Sequence, residues 1–161
     1  MTTLSLNAVT FVRRDPDSVF RELHDPETLL GCVPGATLTR LTGPGSFEAR
    51  IAVGLGPFKA EFDGTGRIVA SNPKARTASI DLTGDPSANI ASVRVRMAMS
   101  IAERTGGSEI HMTFDVAMSD RTRRLANGWL DPVACDLLDR TTRRLKQQLE
   151  EAPAMTFPPA A

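Results

Sequence analysis

From Ala36 to Met118 apolar and polar residues alternate with a period of two, broken at short intervals by glycine, proline, asparagine and serine. Phe47, Ala49, Ile51, Val53 and Leu55 share one parity, as do Phe58, Ala60 and Phe62 in the next segment. Ala78, Ile80 and Leu82 follow, then Val93, Val95, Met97, Met99 and Ile101, and finally Ile110, Met112, Phe114, Val116 and Met118. Successive strand side chains point to opposite faces, so this pattern predicts strands with one buried and one wet face. The breaks at Gly43-Pro44-Gly45-Ser46, Gly56-Pro57, Ser71-Asn72-Pro73-Lys74, Gly84-Asp85-Pro86-Ser87 and Thr105-Gly106-Gly107-Ser108 carry turn chemistry and make the strands consecutive antiparallel neighbours. Gly64 and Gly66 fall inside one strand and predict a bulge or sharp bend where the sheet curls.

The pattern is different at the two ends. Thr3 to Val12 alternates loosely, with Leu4, Leu6 and Ala8 on one face, and suits a first strand. Asp15-Pro16 and Asp25-Pro26 are two helix starts in quick succession, each with a capping carboxylate followed by a proline whose missing N–H has no partner to lose there. Val19, Phe20 and Leu23 form the apolar face of the first short helix; Leu29, Leu30 and Val33, with Cys32 beside them, form that of the second, which Pro34-Gly35 stops. From Arg121 to Glu151 a helical period returns, with Leu125, Trp129, Val133, Leu137, Leu145 and Leu149 on one stripe. Pro132 predicts a bend in this helix, or a restart with Asp131 as cap.

The order of elements predicts an α+β fold: about seven antiparallel strands in a curved sheet wrapped around a long C-terminal helix, with two short helices after the first strand. At 161 residues the chain is expected to form one domain over 1–151, burying about 70% of its unfolded surface, with a short disordered Pro-rich tail over 152–161. A sheet and helix that do not meet along their whole length leave a cavity, and here both surfaces are apolar.

Charge narrows the partners. Lys plus Arg and Asp plus Glu are both 19, so no overall field draws the chain to nucleic acid or to an acidic membrane. Arg121, Arg123 and Arg124 before the long helix, and Arg140, Arg143, Arg144 and Lys146 near its end, suit a solvated face or, as the sharper alternative, an anionic partner. No run of eighteen apolar residues occurs and Met1 to Thr10 is unlike a signal peptide, which predicts a cytoplasmic protein. Cys32 and Cys135, far apart and without ligand-spaced partners, are expected to be small buried hydrophobes rather than a disulfide or metal site. No metal or cofactor is implied.

The chemistry-bearing residues divide by parity. Met97, Met99, Met112 and Met118 face inward, where thioethers either fill a core or line a pocket for a flexible ligand. Phe58, Phe62, Phe114 and Trp129 carry the same two readings, and a buried Trp129 indole would need a partner for its N–H. Candidate pocket residues are therefore Leu30, Val33, Phe58, Phe62, Met97, Met99, Met112, Phe114, Leu125, Trp129 and Val133. An enzyme in this cavity would need inward acids, bases or oxyanion donors. Its candidates are His111, Arg96 and Asp115, all of outward parity, and the strand neighbouring Asp115 offers arginines to pair with it.

The element order resembles the helix-grip fold shared by START domains, birch-pollen-allergen-like proteins and polyketide cyclases. More narrowly, Asp25-Pro26-Glu27, Cys32-Val33-Pro34-Gly35 and Val53-Gly54-Leu55-Gly56-Pro57-Phe58-Lys59 resemble motifs of the CoxG family of carbon monoxide dehydrogenase accessory proteins, over about Phe11 to Gln148. The resemblance implies a non-catalytic accessory protein of a molybdenum hydroxylase, one that binds a hydrophobic or amphipathic small molecule such as an isoprenoid quinone or lipid. A larger oxidoreductase subunit is the implied protein partner. Many members continue into a Pro-rich linker and hydrophobic anchor; Ala152 to Ala161 is short and polar, so membrane contact is expected to be peripheral at most. A polyketide cyclase or dehydratase is the alternative. The resemblance to the CoxG family further implies that Leu29, Leu30 and Val33 close one end of the pocket, and a charge at Leu30 is expected to weaken ligand uptake more than it unfolds the domain.

Overall fold

Strand β1 (Thr2–Val12) runs into two short helices, α1 (Pro16–Leu23) and α2 (Pro26–Gly31), in a computed structural model that describes residues 2–55, 58–84, 93–120, 124 and 130–151. Each helix begins as its sequence requires. The Asp15 carboxylate accepts the Ser18 backbone N–H at 3.0 Å, and the Asp25 carboxylate accepts the Thr28 N–H at 3.4 Å and its hydroxyl at 3.0 Å. Gly35 then turns the chain with φ of 80°; a Cβ there would lie 2.1 Å from the Ala52 carbonyl oxygen. Only glycine tolerates both the conformation and the contact. The Ala52 N–H donates to the Gly35 carbonyl at 2.9 Å, tying the helical segment to the sheet.

The remaining strands are β2 (Ala36–Gly43), β3 (Ser46–Leu55), β4 (Phe58–Asn72), β5 (Thr77–Gly84), β6 (Val93–Arg104) and β7 (Gly107–Met118), followed by helix α3 (Leu130–Glu151). They form one seven-stranded antiparallel sheet in the order β1-β7-β6-β5-β4-β3-β2. From β2 to β7 every neighbour is the next strand in sequence; β1 instead crosses to pair with β7 from Thr2↔Met118 to Val12↔Ser108. The short helices thus carry the chain from one edge strand, β1, to the other, β2. Helix α1 rests on β6 and β7, α2 on β2, and α3 runs along β1 and reaches β3.

Two local expectations change. The β3–β4 and β4–β5 ladders run in register through Gly64 and Gly66, and the irregularity lies instead between Ile68 and Ala70. Gly66 serves close packing: a Cβ there would meet the Phe47 ring at 2.2 Å and Leu82 at 2.8 Å. Asp131 is not a cap, because Leu130 and Asp131 are already helical and the helix continues through Pro132; the residues just before Leu130, which decide how Pro132 is accommodated, lie outside the described residues. Apart from Arg124, the expected helical span 121–129 lies outside the described residues, as does the tail 152–161.

The inward parity holds. Phe47, Ala49, Ala78, Ile80, Met97, Met99, Ile101, Ile110 and Met112 join Val12, Val19, Phe20, Leu23, Leu29, Leu30, Cys32, Leu145 and Leu149 in one buried cluster. Cys135, expected inside, is exposed, because it lies off the stripe that α3 turns to the sheet. At the end of the sheet that carries α1 and α2, polar contacts lock the cluster. The Arg14 side chain, 7% exposed, donates to Glu22 at 2.5 Å and to the Leu149 carbonyl at 3.3 Å; the Arg13 N–H donates to Glu150 at 3.0 Å. Buried Ser108 donates its hydroxyl to the Arg14 carbonyl at 2.6 Å. One end of the grip is therefore shut by α1, α2 and the last turn of α3.

Candidate ligand-binding site

Among the described residues the inner face is predominantly apolar, but its packing is not uniform. At the shut end Val12, Ile110, Leu145 and Leu149 are fully buried. Towards the other end Leu4 and Leu6 of β1, Ile51 of β3, Val93 and Val95 of β6 and Val116 of β7 keep the inward parity yet are only half-buried. Met118, the last residue of β7, is the exception there: it is buried, although apart from the main cluster. Helix α3 shows the same gradient, with Val133, Ala134, Leu137 and Leu138 half-buried and Leu145 and Leu149 sealed. Leu82 and Phe114, partly buried against the cluster, mark its limit. Beyond them, Met118 excepted, the described residues of inward parity are apolar and only half-buried, a surface suited to a hydrophobic occupant.

The candidate residues fall on both sides of that limit. Met97, Met99 and Met112 are 5%, 3% and 1% exposed and form a methionine floor at the boundary, with Phe114 directly opposite Met97 and Met112 opposite Met99. Val133 is half-buried near the start of the described part of α3, and Val33 is half-buried after α2. Leu30, at 4%, belongs to the sealed cluster. Phe58 and Phe62 start strand β4, paired with Leu55 and Ile51, which places them in the half-open half of the sheet by register; their side chains, and Leu125 and Trp129 altogether, lie outside the described residues. Leu4, Leu6, Val95 and Val116, which share the inward parity but are not among the expected pocket residues, lie in the same half-buried region.

The polar candidates are elsewhere. Arg96 donates through Nε and Nη2 to the two Asp81 carboxylate oxygens at 2.7 and 2.8 Å, an outward cross-strand pair. Asp115 is opposite Arg96 in register but accepts the Ser5 hydroxyl at 2.7 Å rather than an arginine, because Arg96 is already engaged by Asp81. His111 Nε2 lies 2.5 Å from Glu109 Oε1 with its side chain 44% exposed. Hydrogen bonding from His111, aided by Arg104, lowers the Glu109 carboxyl below the usual range. None of the three faces the inner surface. His24, at the α1–α2 junction, meets the Ser71 hydroxyl at 3.0 Å and lies against the Phe20 ring, a structural tie between α1 and β4.

Burial pushes the Cys32 thiol up to about 11 despite the nearby Arg144 charge, and its Sγ lies 3.4 Å from the Thr28 carbonyl oxygen and 3.5 Å from Gln148 Oε1. It is a buried, packed thiol. Among the described residues no three His, Cys, Asp or Glu side chains converge as metal ligands, and no helix is long and apolar enough to cross a membrane.

A curved antiparallel sheet gripping a C-terminal helix, braced by two short helices after β1, is the helix-grip architecture. The same fold is found in a conserved protein from Geobacillus kaustophilus (TM-score 0.76, 16% identity, 92% of this chain and 97% of that one). The Zhui aromatase/cyclase from Streptomyces sp. R1128 (TM-score 0.66, 12% identity, 99% of each chain) shares it. So does norcoclaurine synthase from Thalictrum flavum, solved with dopamine and hydroxybenzaldehyde (TM-score 0.64, 12% identity, 93% of this chain and 88% of that one). No curated protein matches the chain in sequence. Within the fold the sequence is specific: residues 10–150 match the profile of the carbon monoxide dehydrogenase G subunit (CoxG), and the chain belongs to that family.

Proposed function

We propose that this CoxG-family protein binds a hydrophobic or amphipathic small molecule, of the isoprenoid quinone or lipid kind, between the inner face of the sheet and α3. The observation that supports the reading is the packing gradient along one continuous apolar surface. Leu4, Leu6, Val95, Val116, Val133 and Leu137 line a mouth above the floor made by Met97, Met99, Met112 and Phe114. Phe58, Phe62, Leu125 and Trp129 complete the lining by parity and helical spacing. Binding is driven by apolar burial, at about 25 cal/mol per Å² removed from water, and thioether side chains adapt to an irregular chain. The family points to service to a molybdenum hydroxylase, with the protein carrying the ligand rather than transforming it, in the cytoplasm or at most in peripheral contact with a membrane.

The chain has a single tryptophan and no tyrosine, so its intrinsic emission reports on Trp129. Titration with a short-chain ubiquinone or menaquinone analogue is expected to quench that emission saturably, and native mass spectrometry to show a one-to-one adduct. Absence of both quenching and adduct would overturn the reading.

A further inference from the structure

The packing gradient along the inner face has a definite length. On β6 the inward side chains are half-buried at Val93 and Val95 and buried from Met97 to Ile101, so the half-buried stretch from Val93 to Met97 covers about 13 Å of strand. On α3 the same change runs from half-buried Val133 to Thr141, which is 7% exposed, about 12 Å of helix. Sheet and helix thus pass from half-buried to sealed over the same distance. An extended chain advances about 1.2 Å per bond, which makes this stretch about ten bonds deep.

Its chemistry is uniform over that depth. Leu4 and Leu6 on β1, Val95 on β6, Val116 on β7 and Val133 and Leu137 on α3 are half-buried and carry no side-chain nitrogen or oxygen. The floor of Met97, Met99, Met112 and Phe114 carries none either. Deeper polar side chains are already engaged: the Thr141 hydroxyl donates to the Leu137 carbonyl at 2.7 Å and the Ser108 hydroxyl to the Arg14 carbonyl at 2.6 Å. Thr10 lies beyond the floor, opposite Ile110. A carbonyl or hydroxyl pushed down to the floor would lose its water and gain no hydrogen bond from these residues, whereas a hydrocarbon chain loses nothing there. The chain turns polar at the other end, where Ser119 and the exposed Asp120 follow β7.

We propose that the site recognises the chain of its ligand rather than the head group: a single flexible hydrocarbon chain enters first and is held over about ten carbons, and the head group stays in water at the open end. This rests on the reading of the inner face as a lipophile site and adds the orientation and the property selected. Val95 and Met97, successive inward residues of β6 opposite Val116 and Phe114, then set the usable length. The thioethers of the floor adapt to a saturated or a branched chain end alike.

The test is a series of ubiquinone analogues with butyl to tetradecyl chains, titrated by quenching of Trp129 emission, and the matching straight-chain alcohols, titrated by displacement of the decyl quinone. Affinity is expected to rise by up to about fourfold per methylene as far as about ten carbons and then to level off. Exchanging the quinone ring for a hydroxyl at equal chain length is expected to change affinity less than tenfold. Val95→Phe is expected to move the plateau to shorter chains and Met97→Ala to longer ones; Val95→Phe decides alone if the alanine variant does not fold. Affinity independent of chain length, alcohols that fail to displace the quinone, or a plateau that Val95→Phe leaves in place would overturn the proposal while leaving lipophile binding intact. No binding by any member of either series would overturn both.

Discussion

Cys32 and Cys135 show how burial decides the behaviour of one side chain type. The sequence offers no difference between them, but one is sealed against α3 and the other is exposed. A disulfide-exchange reagent at neutral pH is therefore expected to modify Cys135 alone in the native protein, and both thiols in denaturant. The raised Cys32 value also has a direction. Its unfolded thiol releases a proton near 9.0 and its folded thiol only near 11, so the stability associated with the buried thiol is complete below pH 9 and is lost as pH rises towards 11. Denaturation midpoints should fall over that window in the wild type, and the fall should be smaller in Cys32→Ala. Asp15 has the opposite sign: hydrogen bonds from Ser18 lower its carboxyl, so its capping contribution is present above its ordinary value of 3.8 and lost as pH drops below it. Asp15→Ala is expected to cost about 1 kcal/mol at neutral pH, read from urea denaturation.

Among the elements, α2 and the turn after it connect local chemistry to the shut end of the grip. Gly35→Ala must place a Cβ against the Ala52 carbonyl with a left-handed backbone, and is expected to cost at least about 2 kcal/mol, measured in the same way. Leu30 lies within the sealed cluster at 4% exposure, at the end of the grip that α1 and α2 shut, so Leu30→Asp is expected to unfold the domain before ligand uptake can be compared. The helix boundaries, caps and apolar stripe of α2 were legible because they depend on neighbours within a turn. Whether that stripe met a cavity or a packed core depends on which end of the sheet it covers, information that no local pattern carries.

On the scale of the whole molecule, the two faces of one sheet do different work. The inner face changes from dry to half-open along the strands, and substitutions should separate the two regimes. Met99→Ala on the floor is expected to cost about 2–5 kcal/mol of stability. Leu6→Asp at the half-open end is expected to abolish quinone-analogue quenching while lowering stability by less than Met99→Ala does, as read from denaturation curves of the two variants. The outer face carries the charged ladder in which Arg96 joins Asp81. The residues considered for catalysis, His111, Arg96 and Asp115, have their described polar partners on that face.

The sequence by itself determined the element order, the helix starts at Asp15 and Asp25, the turn at Gly35, and which parity of each strand is greasy, since each is set by side-chain chemistry within a few residues. It also determined the family. Tertiary structure alone decided where the irregularity in β4 falls, that Gly66 makes room for the Phe47 ring, that Cys135 is outside, and that Met97 and Met99 form a floor while Val95 stands above it on the same strand. The physical reason is that a period-two pattern assigns a residue to a face but not to a depth. Depth is set by how far α3 lies from the sheet at each point, and that distance arises only when β1 has crossed to β7 and the two short helices have shut one end.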